Sequence, residues 1–219
     1  MLENKDYAPQ CAEMIEKQLR RRGISDEAVL AAMTAVPRHE FVPGALRSRA
    51  YEDVPLPIGG GQTISQPYIV AAMTAALNLR PGDRVLEIGT GCGYQAAVLS
   101  GLAKEVFSIE RRPELASAAS ATLARLGYRN AHVHCGDGTL GLPDLAPFNA
   151  ILVAAAAPAV PRPLLAQLAD GGRMIVPVGA AEHQELQLLE KRGDAFSKKM
   201  LEGCRFVPLV GYHGWQEPS

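Results

Sequence analysis

Short apolar runs alternate with segments of helical apolar spacing over residues 84–177. A short apolar run is typical of a buried strand, and apolar residues that recur every three or four positions are typical of a helix packed on a core. The predicted strands cover residues 84–88, 106–109, 131–135, 150–153 and 173–177. The predicted helices between them cover residues 94–102, 113–126 and 161–168. Repeated strand–helix units specify a doubly wound, mostly parallel α/β sheet with helices on both faces.

The first part of the chain is predicted to be helical with a long irregular stretch. Residues 9–22 show helical apolar spacing, and Gly23 is placed to end that helix. Ser25 is the predicted N-cap of a second helix. Residues 36–61 are rich in Pro and Gly and are expected to form a loop that is mobile near its three consecutive glycines. A third helix is predicted to follow Gln66-Pro67.

The last part of the chain is predicted to add strands to the sheet. Residues 185–190 and 200–209 have strand-like composition, and Arg192-Gly193-Asp194 is the expected turn between them. A chain of 219 residues suits one α/β domain. We expect residues 1–80 to carry helices and an active-site segment, residues 81–180 to form the cofactor-binding core, and residues 181–219 to supply the final strands.

Composition narrows the functional classes. The chain has 22 Lys plus Arg and 23 Asp plus Glu, so it lacks the basic excess expected of a protein that gathers nucleic acid or an anionic membrane. Its four cysteines form no C-x-x-C pair, which argues against a metal site and fits reduced thiols in the cytoplasm. No window approaches the ~18 apolar residues of a membrane-spanning helix, and no signal-like segment begins the chain. We expect a cytoplasmic monomer with no bound metal.

A glycine-rich loop follows the first predicted strand of the core. It reads Gly89-Thr90-Gly91-Cys92-Gly93 and runs directly into a predicted helix. Glycines allow the backbone to turn sharply and approach a ligand, and the following helix presents free N–H groups. The dinucleotide fingerprint needs a third glycine at the position of Tyr94, so the spacing argues against NAD.

Three acidic residues lie at successive predicted strands. Glu87, two residues before the loop, favours a methyltransferase, since a carboxylate there can orient the loop and lie near the methionine amino group of S-adenosylmethionine. Glu110 ends the next strand and can accept hydrogen bonds from both ribose hydroxyls. Asp137-Gly138 follows the third strand, where the carboxylate can meet the adenine amino group. Taken singly, Glu110 could pair with a neighbouring arginine, and Asp137 could be an ordinary turn residue.

The sequence closely resembles the protein-L-isoaspartate O-methyltransferase family over nearly its whole length. The shared motifs are Gln18-Leu19-Arg20, Val36-Pro37-Arg38, Phe41-Val42-Pro43, Gln62-Thr63-Ile64-Ser65-Gln66-Pro67, Gly136-Asp137-Gly138 and Phe206-Val207-Pro208-Leu209. The resemblance implies a Rossmann-like methyltransferase sheet that binds S-adenosylmethionine, releases S-adenosylhomocysteine and methylates isoaspartyl-containing proteins and peptides. It also implies that Ser65 is the active-site residue, that Thr63 and Ile64 lie at the cofactor, and that Val207, Pro208 and Leu209 line the substrate groove.

The reaction implied by this resemblance does not require a side chain that removes a proton. The substrate carboxylate is ionised near neutral pH, so its attack on a methyl group requires no general base. Ser65 is therefore expected to position the substrate. A serine just before Gln66-Pro67 is also a candidate helix N-cap, and both interpretations stay open at the level of sequence.

Other functions compete with this one. A methyltransferase that acts on nucleic-acid bases usually carries an Asn/Asp-Pro-Pro-aromatic motif after the fourth strand, whereas this chain has Ala154-Ala155-Ala156-Ala157-Pro158 there. A small-molecule methyltransferase and a cofactor-binding protein without catalysis are the remaining alternatives. Transfer of a labelled methyl group would separate catalysis from mere binding.

Overall fold

The computed structural model describes residues 6–180 and 182–216. Within these residues, seven strands form one sheet: β3 (Arg84–Ile88), β4 (Glu105–Glu110), β5 (Ala131–Cys135), β6 (Phe148–Val153), β7 (Leu168–Ala180), β8 (His183–Arg192) and β9 (Ala195–Cys204). Their order in the sheet is β5-β4-β3-β6-β7-β8-β9. Strands β3 to β7 pair in parallel, and β8 and β9 continue the sheet in antiparallel pairing. The predicted doubly wound sheet with antiparallel C-terminal strands is confirmed.

Strand β3 lies in the interior of this sheet, between β4 and β6. Val85 pairs with Val106 on one side and with Ala150 on the other. The chain therefore winds outward in one direction from β3 to β5 and in the opposite direction from β6 to β9. Open α/β sheets bind ligands at such a reversal, beyond the carboxyl ends of the strands.

Helices cover both faces of the sheet. They are α1 (Ala8–Glu13), α2 (Glu27–Ala35), α3 (Pro67–Leu77), α4 (Tyr94–Ser100), α5 (Pro113–Leu126) and α6 (Arg162–Ala166). Each face of the sheet carries its own hydrophobic core, and the side chains of β3 point alternately into the two. Val85 packs with α2, α3 and α4 on one face, whereas Leu86 and Ile88 pack with α6 on the opposite face. This period of two is what a strand buried on both faces requires.

The N-terminal helices follow the predicted outline. Helix α1 continues as a π-helical segment, Met14–Leu19, and a 3₁₀ turn, Arg20–Arg22, before Gly23 ends it with φ of 93°. The prediction that Ser25 caps α2 is wrong. Asp26 is the N-cap, and its carboxylate accepts hydrogen bonds from the backbone N–H groups of the first turn of the helix.

The stretch predicted as a loop contains regular structure. It holds two 3₁₀ helices, Arg38–Phe41 and Gly44–Arg49, and the hairpin strand β1 (Leu56–Gly59), which pairs with β2 (Gln62–Ile64). The glycines form the hairpin turn, with positive φ at Gly59, Gly60 and Gly61. The high Pro and Gly content thus reflects tight turns and a short hairpin.

The last predicted strand is shifted along the chain. The structure places β9 at Ala195–Cys204, whereas the prediction was residues 200–209. Lys198 and Lys199 made the exposed edge strand look polar, and charged side chains are common on such edges. The apolar residues after β9 instead pair singly with the segment after β6, through a bridge between Ala156 and Pro208.

Candidate active site

A cavity lies beyond the carboxyl ends of β3 and β4. We call it the inner cavity, and its wall includes residues 62–65, 88–92, 109–112 and 206–210. These segments come from the hairpin, the glycine loop, the end of β4 and the segment after β9. The reversal of strand order brings them together, as expected for a ligand site in this class of sheet.

The glycine loop turns back sharply from β3. Gly89 has φ of 92°, which a residue with a side chain rarely adopts, and its N–H donates a hydrogen bond of 2.8 Å to the carbonyl of Ile109. Gly91 has φ of 54°, and a Cβ there would lie 3.2 Å from Ile58 of the hairpin. Gly89, Thr90 and Gly91 line the inner cavity. Gly93 lies outside its lining and serves as the N-cap of α4.

Glu110 lies in the wall of the inner cavity and is almost fully buried. Its Oε2 accepts a hydrogen bond of 2.9 Å from the Gly91 N–H, and its Oε1 accepts one of 2.9 Å from the Arg112 N–H. The backbone therefore fixes both oxygens. Each oxygen retains a second lone pair that a ligand hydroxyl can use.

Glu87 is completely buried beneath the loop and does not line the inner cavity. Its Oε2 accepts a hydrogen bond from the Ser108 hydroxyl, which in turn lies 2.5 Å from the Thr90 hydroxyl. Its Oε1 is buried without a hydrogen-bond partner. Burial raises the pKa of Glu87 to about 8, with a further increase from Glu110, against the lowering by the Ser108 hydrogen bond. The arrangement links Glu87 to the loop through two hydroxyls.

Asp137 also lies outside the lining of the inner cavity, although the next residue, Gly138, belongs to it. The Oδ1 of Asp137 accepts hydrogen bonds from the N–H and hydroxyl of Thr139, and Oδ2 accepts one of 2.8 Å from the Tyr212 N–H. Burial acts to raise the pKa of Asp137, but the hydrogen bonds from Tyr212 and Thr139 outweigh it and lower the pKa. In this structure the carboxylate holds the segment around Tyr212 close to the end of β5 by this hydrogen bond.

A groove meets the inner cavity around Ser65. We call it the outer groove; it has a volume of about 950 Å³. The two spaces share seven wall residues: Thr63, Ser65, Ile69, Ala154, Phe206, Val207 and Pro208. Of the residues predicted by resemblance, Thr63, Ser65, Val207 and Pro208 thus face both spaces, whereas Ile64 and Leu209 line the inner cavity alone.

Ser65 does not cap α3. Gln66 occupies the N-cap position, and the cap makes no side-chain hydrogen bond. The interpretation of Ser65 as an N-cap is therefore wrong. The serine is half-buried where the inner cavity and the outer groove meet, which leaves its hydroxyl for a ligand.

Val207 and Leu209 are held in place by Ala156. The N–H of Ala156 donates to the Val207 carbonyl at 2.8 Å, and the N–H of Leu209 donates to the Ala156 carbonyl at 2.8 Å. The expected groove-lining strand is thus a single parallel bridge outside β9. It places these residues beside the end of β6 and opposite the hairpin.

Arg38 is a residue of this site that sequence reasoning did not identify. It is fully buried, and it donates from Nε to the Ala50 carbonyl at 2.6 Å and from Nη2 to the Ser65 carbonyl at 2.7 Å. Its guanidinium carbon lies 4.6 Å from the ring centroid of Tyr94, which lines the inner cavity. A charged residue between apolar Val36 and Phe41 was the available signal, because a buried charge needs specific partners.

Among residues 6–180 and 182–216, no group of three or more His, Cys, Asp or Glu side chains is arranged to hold a metal ion. In the same residues, no helix has both the length and the apolar character needed to cross a bilayer.

Comparison with known proteins identifies the family. The family model described as protein-L-isoaspartate(D-aspartate) O-methyltransferase matches residues 10–214. A protein-L-isoaspartate O-methyltransferase of Syntrophobacter fumaroxidans is 58% identical over 93% of this chain and 95% of its own. One of Methanoculleus marisnigri is 57% identical over 93% of each chain.

Solved structures agree with these relatives. A protein-L-isoaspartate O-methyltransferase superposes with a TM-score of 0.83 at 32% identity, over 93% of this chain and 67% of that one. A putative family member from Plasmodium falciparum, in complex with S-adenosyl-L-homocysteine, gives 0.80 at 25% identity over 94% and 99% of the two chains. The chain, with its glycine loop, hairpin and paired spaces around Ser65, belongs to the protein-L-isoaspartate O-methyltransferase family of S-adenosylmethionine-dependent enzymes.

Proposed function

We propose that this enzyme transfers a methyl group from S-adenosylmethionine to the free α-carboxylate of L-isoaspartyl residues in damaged proteins and peptides. The observation that carries the proposal is the position of Ser65 in the wall shared by the inner cavity and the outer groove. A cofactor in one space and a peptide in the other would meet at this residue. The names of relatives up to 58% identical support the same reaction.

The inner cavity has the features that S-adenosylmethionine requires. Glu110 offers two fixed carboxylate oxygens, whose spacing suits the vicinal hydroxyls of a ribose. Gly91 brings backbone close to the cavity, and a Cβ at Gly138 would lie 2.5 Å from Ile88. The proposed contacts of the cofactor are Thr63, Ile64, Glu87, Gly89, Thr90, Gly91, Gly93, Glu110, Asp137 and Gly138.

Three of these residues, Glu87, Gly93 and Asp137, do not line the inner cavity. Asp137 is proposed as the acceptor for the adenine amino group through a remaining lone pair, since Tyr212 and Thr139 already occupy others. Glu87 is proposed to act on the methionine amino group from beneath the loop. Its buried Oε1 has no partner in the protein, which supports a role for a group outside the chain.

Bound S-adenosylmethionine supplies an electrophilic methyl group on a sulfonium centre. The chain has to hold the substrate carboxylate in line with that methyl group and exclude water. Ser65 is proposed to orient the carboxylate through its hydroxyl, and Val207, Pro208 and Leu209 are proposed to hold the flanking peptide backbone. Because the carboxylate is already ionised, no side chain has to remove a proton. Positioning of this kind contributes up to ~10 kcal/mol in favourable models.

Preference for isoaspartate follows from the geometry of the substrate. Isomerisation routes the peptide backbone through the side-chain carbonyl, so the α-carboxylate becomes a short branch. A groove that fixes the backbone can place this branch at Ser65, whereas the carboxylate of normal aspartate is displaced by about one bond length, and a displacement near 1 Å can cost ~100-fold in rate.

The methyl ester is the start of repair. Methoxide is a better leaving group than an oxide, so the next backbone nitrogen attacks the ester carbonyl, methanol is released and a succinimide forms. Water then opens the ring to a mixture of aspartate and isoaspartate. Repeated cycles convert the isoaspartyl residue into normal aspartate.

The test uses two peptides of identical sequence that contain either aspartate or L-isoaspartate at one position. Incubation with methyl-labelled S-adenosylmethionine should give base-labile methyl ester and released methanol with the isoaspartyl peptide alone. Equal labelling of both peptides would overturn the proposal. Transfer confined to a nucleic acid or a metabolite would favour the alternative classes of methyltransferase, and binding without transfer would favour a non-catalytic protein.

We also propose how the chain is divided, where the enzyme acts and with which partners. We assign residues 1–80 to the N-terminal helices with the segment around Ser65, residues 81–180 to the cofactor-binding core, and residues 181–219 to the C-terminal strands with the groove, all within one domain. Residues 1–5, 181 and 217–219 of this division lie outside the described residues. We propose a cytoplasmic monomer that uses no metal and acts on isoaspartyl proteins without nucleic acid or membrane. Four scattered cysteines and a net charge of −1 support this setting.

A further inference from the structure

The guanidinium of Arg38 contacts the proposed site from the side that faces the protein interior. Nη2 donates to the Ser65 carbonyl, and Nε donates to the Ala50 carbonyl at the end of the second 3₁₀ helix. The same planar group lies against the ring of Tyr94, the first residue of α4. One side chain therefore joins the N-terminal part of the chain, the segment around Ser65 and the helix that follows the glycine loop.

The hydrogen bond to Ser65 lies at the junction between a strand and a helix. Ser65 follows the last residue of β2 and precedes Gln66, the N-cap of α3. The Ser65 side chain does not fix its own backbone by capping the helix. The bond from Arg38 thus holds the Ser65 carbonyl from outside the segment to which Ser65 belongs.

The charge of Arg38 is unusual for a residue whose role is packing alone. No carboxylate in residues 6–180 or 182–216 forms an ion pair with it, and its Nη1 is buried without a hydrogen-bond partner. Burial of an unpaired cation is costly, and apolar side chains fill space at lower cost. A guanidinium is nevertheless the group that can donate in a fixed plane to two carbonyls and stack on a ring.

We propose that Arg38 is a positioning residue for methyl transfer, whose guanidinium fixes the Ser65 segment against Tyr94 and so sets the distance between the substrate carboxylate and the cofactor. This inference rests on the proposed function of Ser65. Arg38 does not line the inner cavity or the outer groove, so it acts through Ser65 rather than on the substrate. Its effect should appear in the rate of transfer more than in binding of the cofactor.

The experiment compares Arg38→Lys and Arg38→Gln with the wild type. Lysine keeps the charge, but its single nitrogen cannot copy the planar fork that reaches Ala50 and Ser65. Glutamine is neutral, is less costly to bury, and keeps one donor group. We expect kcat on an isoaspartyl peptide to fall at least tenfold in both variants, while the Kd for S-adenosylhomocysteine, measured by calorimetry, changes less than about threefold.

Arg84→Lys is the matched control. Arg84 also donates to backbone carbonyls, those of Leu145 and Pro147, and lies over the ring of Phe107 at 5.1 Å. It begins β3, whose opposite end carries the glycine loop. We expect this control to lose stability without loss of kcat, which separates positioning from general support of the fold.

Several results of this experiment would overturn the positioning role of Arg38 or the proposed function. Unchanged kcat in a folded Arg38 variant, or equal losses of kcat and of cofactor affinity, would overturn the positioning role. Failure of both Arg38 variants to bind S-adenosylhomocysteine would show that Arg38 is required for the fold and would overturn it too. A wild type that leaves the isoaspartyl peptide unlabelled would instead overturn the proposed function, on which this inference depends.

Discussion

Gly91 donates its backbone N–H to Glu110 over 2.9 Å, so the glycine loop after β3 is tied directly to the end of β4. The other oxygen of the same carboxylate accepts from the Arg112 N–H. A single side chain thus orders the glycine loop proposed to contact the cofactor and presents the oxygens proposed to hold the ribose. Loop order and cofactor affinity should therefore change together when this side chain is altered.

Replacement of Glu110 by alanine should weaken binding of S-adenosylmethionine at least several-fold. The variant loses a charged acceptor for the ribose, and hydrogen bonds to charged groups contribute roughly 1.5–3 kcal/mol each. It also leaves the Gly91 N–H without its partner. Calorimetric titration measures the Kd. Glu114→Ala is the control, because Glu114 is exposed in the first turn of α5; equal affinity of the Glu110 variant and this control would remove Glu110 from the site.

Ser65→Ala should lower turnover strongly and cofactor affinity much less. The hydroxyl is proposed to orient the carboxylate in the transition state, so its loss appears mainly in kcat. Thermal stability should hardly change, because the serine does not cap α3. The exposed Ser117→Ala provides the comparison in steady-state kinetics and thermal unfolding. Full turnover by the Ser65 variant on an isoaspartyl peptide would exclude this role.

Gly211→Ala should disturb the segment that Asp137 holds. A Cβ at Gly211 would lie 2.1 Å from Asp137 Oδ1, so the carboxylate would have to leave its hydrogen bonds with Tyr212 and Thr139. Loss of bonds to a charged group predicts destabilisation by about 1–3 kcal/mol, with weaker cofactor binding. Denaturant unfolding and calorimetry measure both effects. Gly44→Ala, whose Cβ would meet nothing within 4 Å, should be close to wild type in each.

Glu87 should make stability depend on pH. Burial raises the pKa of Glu87 from 4.5 to about 8, so the folded protein retains a proton that the unfolded chain releases. Between these two values the unfolded state binds fewer protons, and the free energy of unfolding therefore falls as pH rises through this window. The stabilising contribution is complete below about pH 4.5 and is lost by about pH 8.

Glu87→Gln removes this titration. The free energy of unfolding, measured with denaturant at both ends of the window and without cofactor, should fall less steeply with pH in the variant than in the wild type. The exposed Glu114→Gln should keep the wild-type slope. Parallel slopes for the Glu87 variant and the wild type would contradict a raised pKa at this position.

The central sheet was predictable because local and long-range signals agree there. Helix α5 begins at Pro113, where the missing N–H costs nothing, and ends before Gly127, which adopts φ of 86°. Strand β3 is apolar apart from Arg84 and Glu87, as a central strand buried on both faces must be. In such elements, propensity, end signals and burial all favour one structure.

Other features depend on contacts that a single sequence does not display. The hairpin was missed because Pro57 and the three glycines resemble a loop, although they fit a short strand and its turn. The hydrogen bonds from Tyr212 to Asp137 and from Arg38 to Ser65 join residues that are far apart in the chain. Ser65 illustrates the limit most clearly, because its local sequence suits an N-cap and only the cap geometry shows otherwise.

The position of β3 between β4 and β6 affects how the enzyme forms its site during folding. Antiparallel neighbours such as β7 and β8 are close in the chain and can pair early, whereas β3 must find β6 across all of the intervening strands and helices, as in the pair Val85 and Ala150. Contacts between residues distant in the chain form late, since loop closure is entropically costly before it is rewarded. The glycine loop is tied to β4 through the hydrogen bond from Gly89 to Ile109, and the end of β3 just before the loop is tied to the residue after β6 through the bond from Ala154 to Ile88. A nascent or refolding chain therefore gains affinity for its cofactor only near the end of folding, so added S-adenosylmethionine should slow unfolding without accelerating folding.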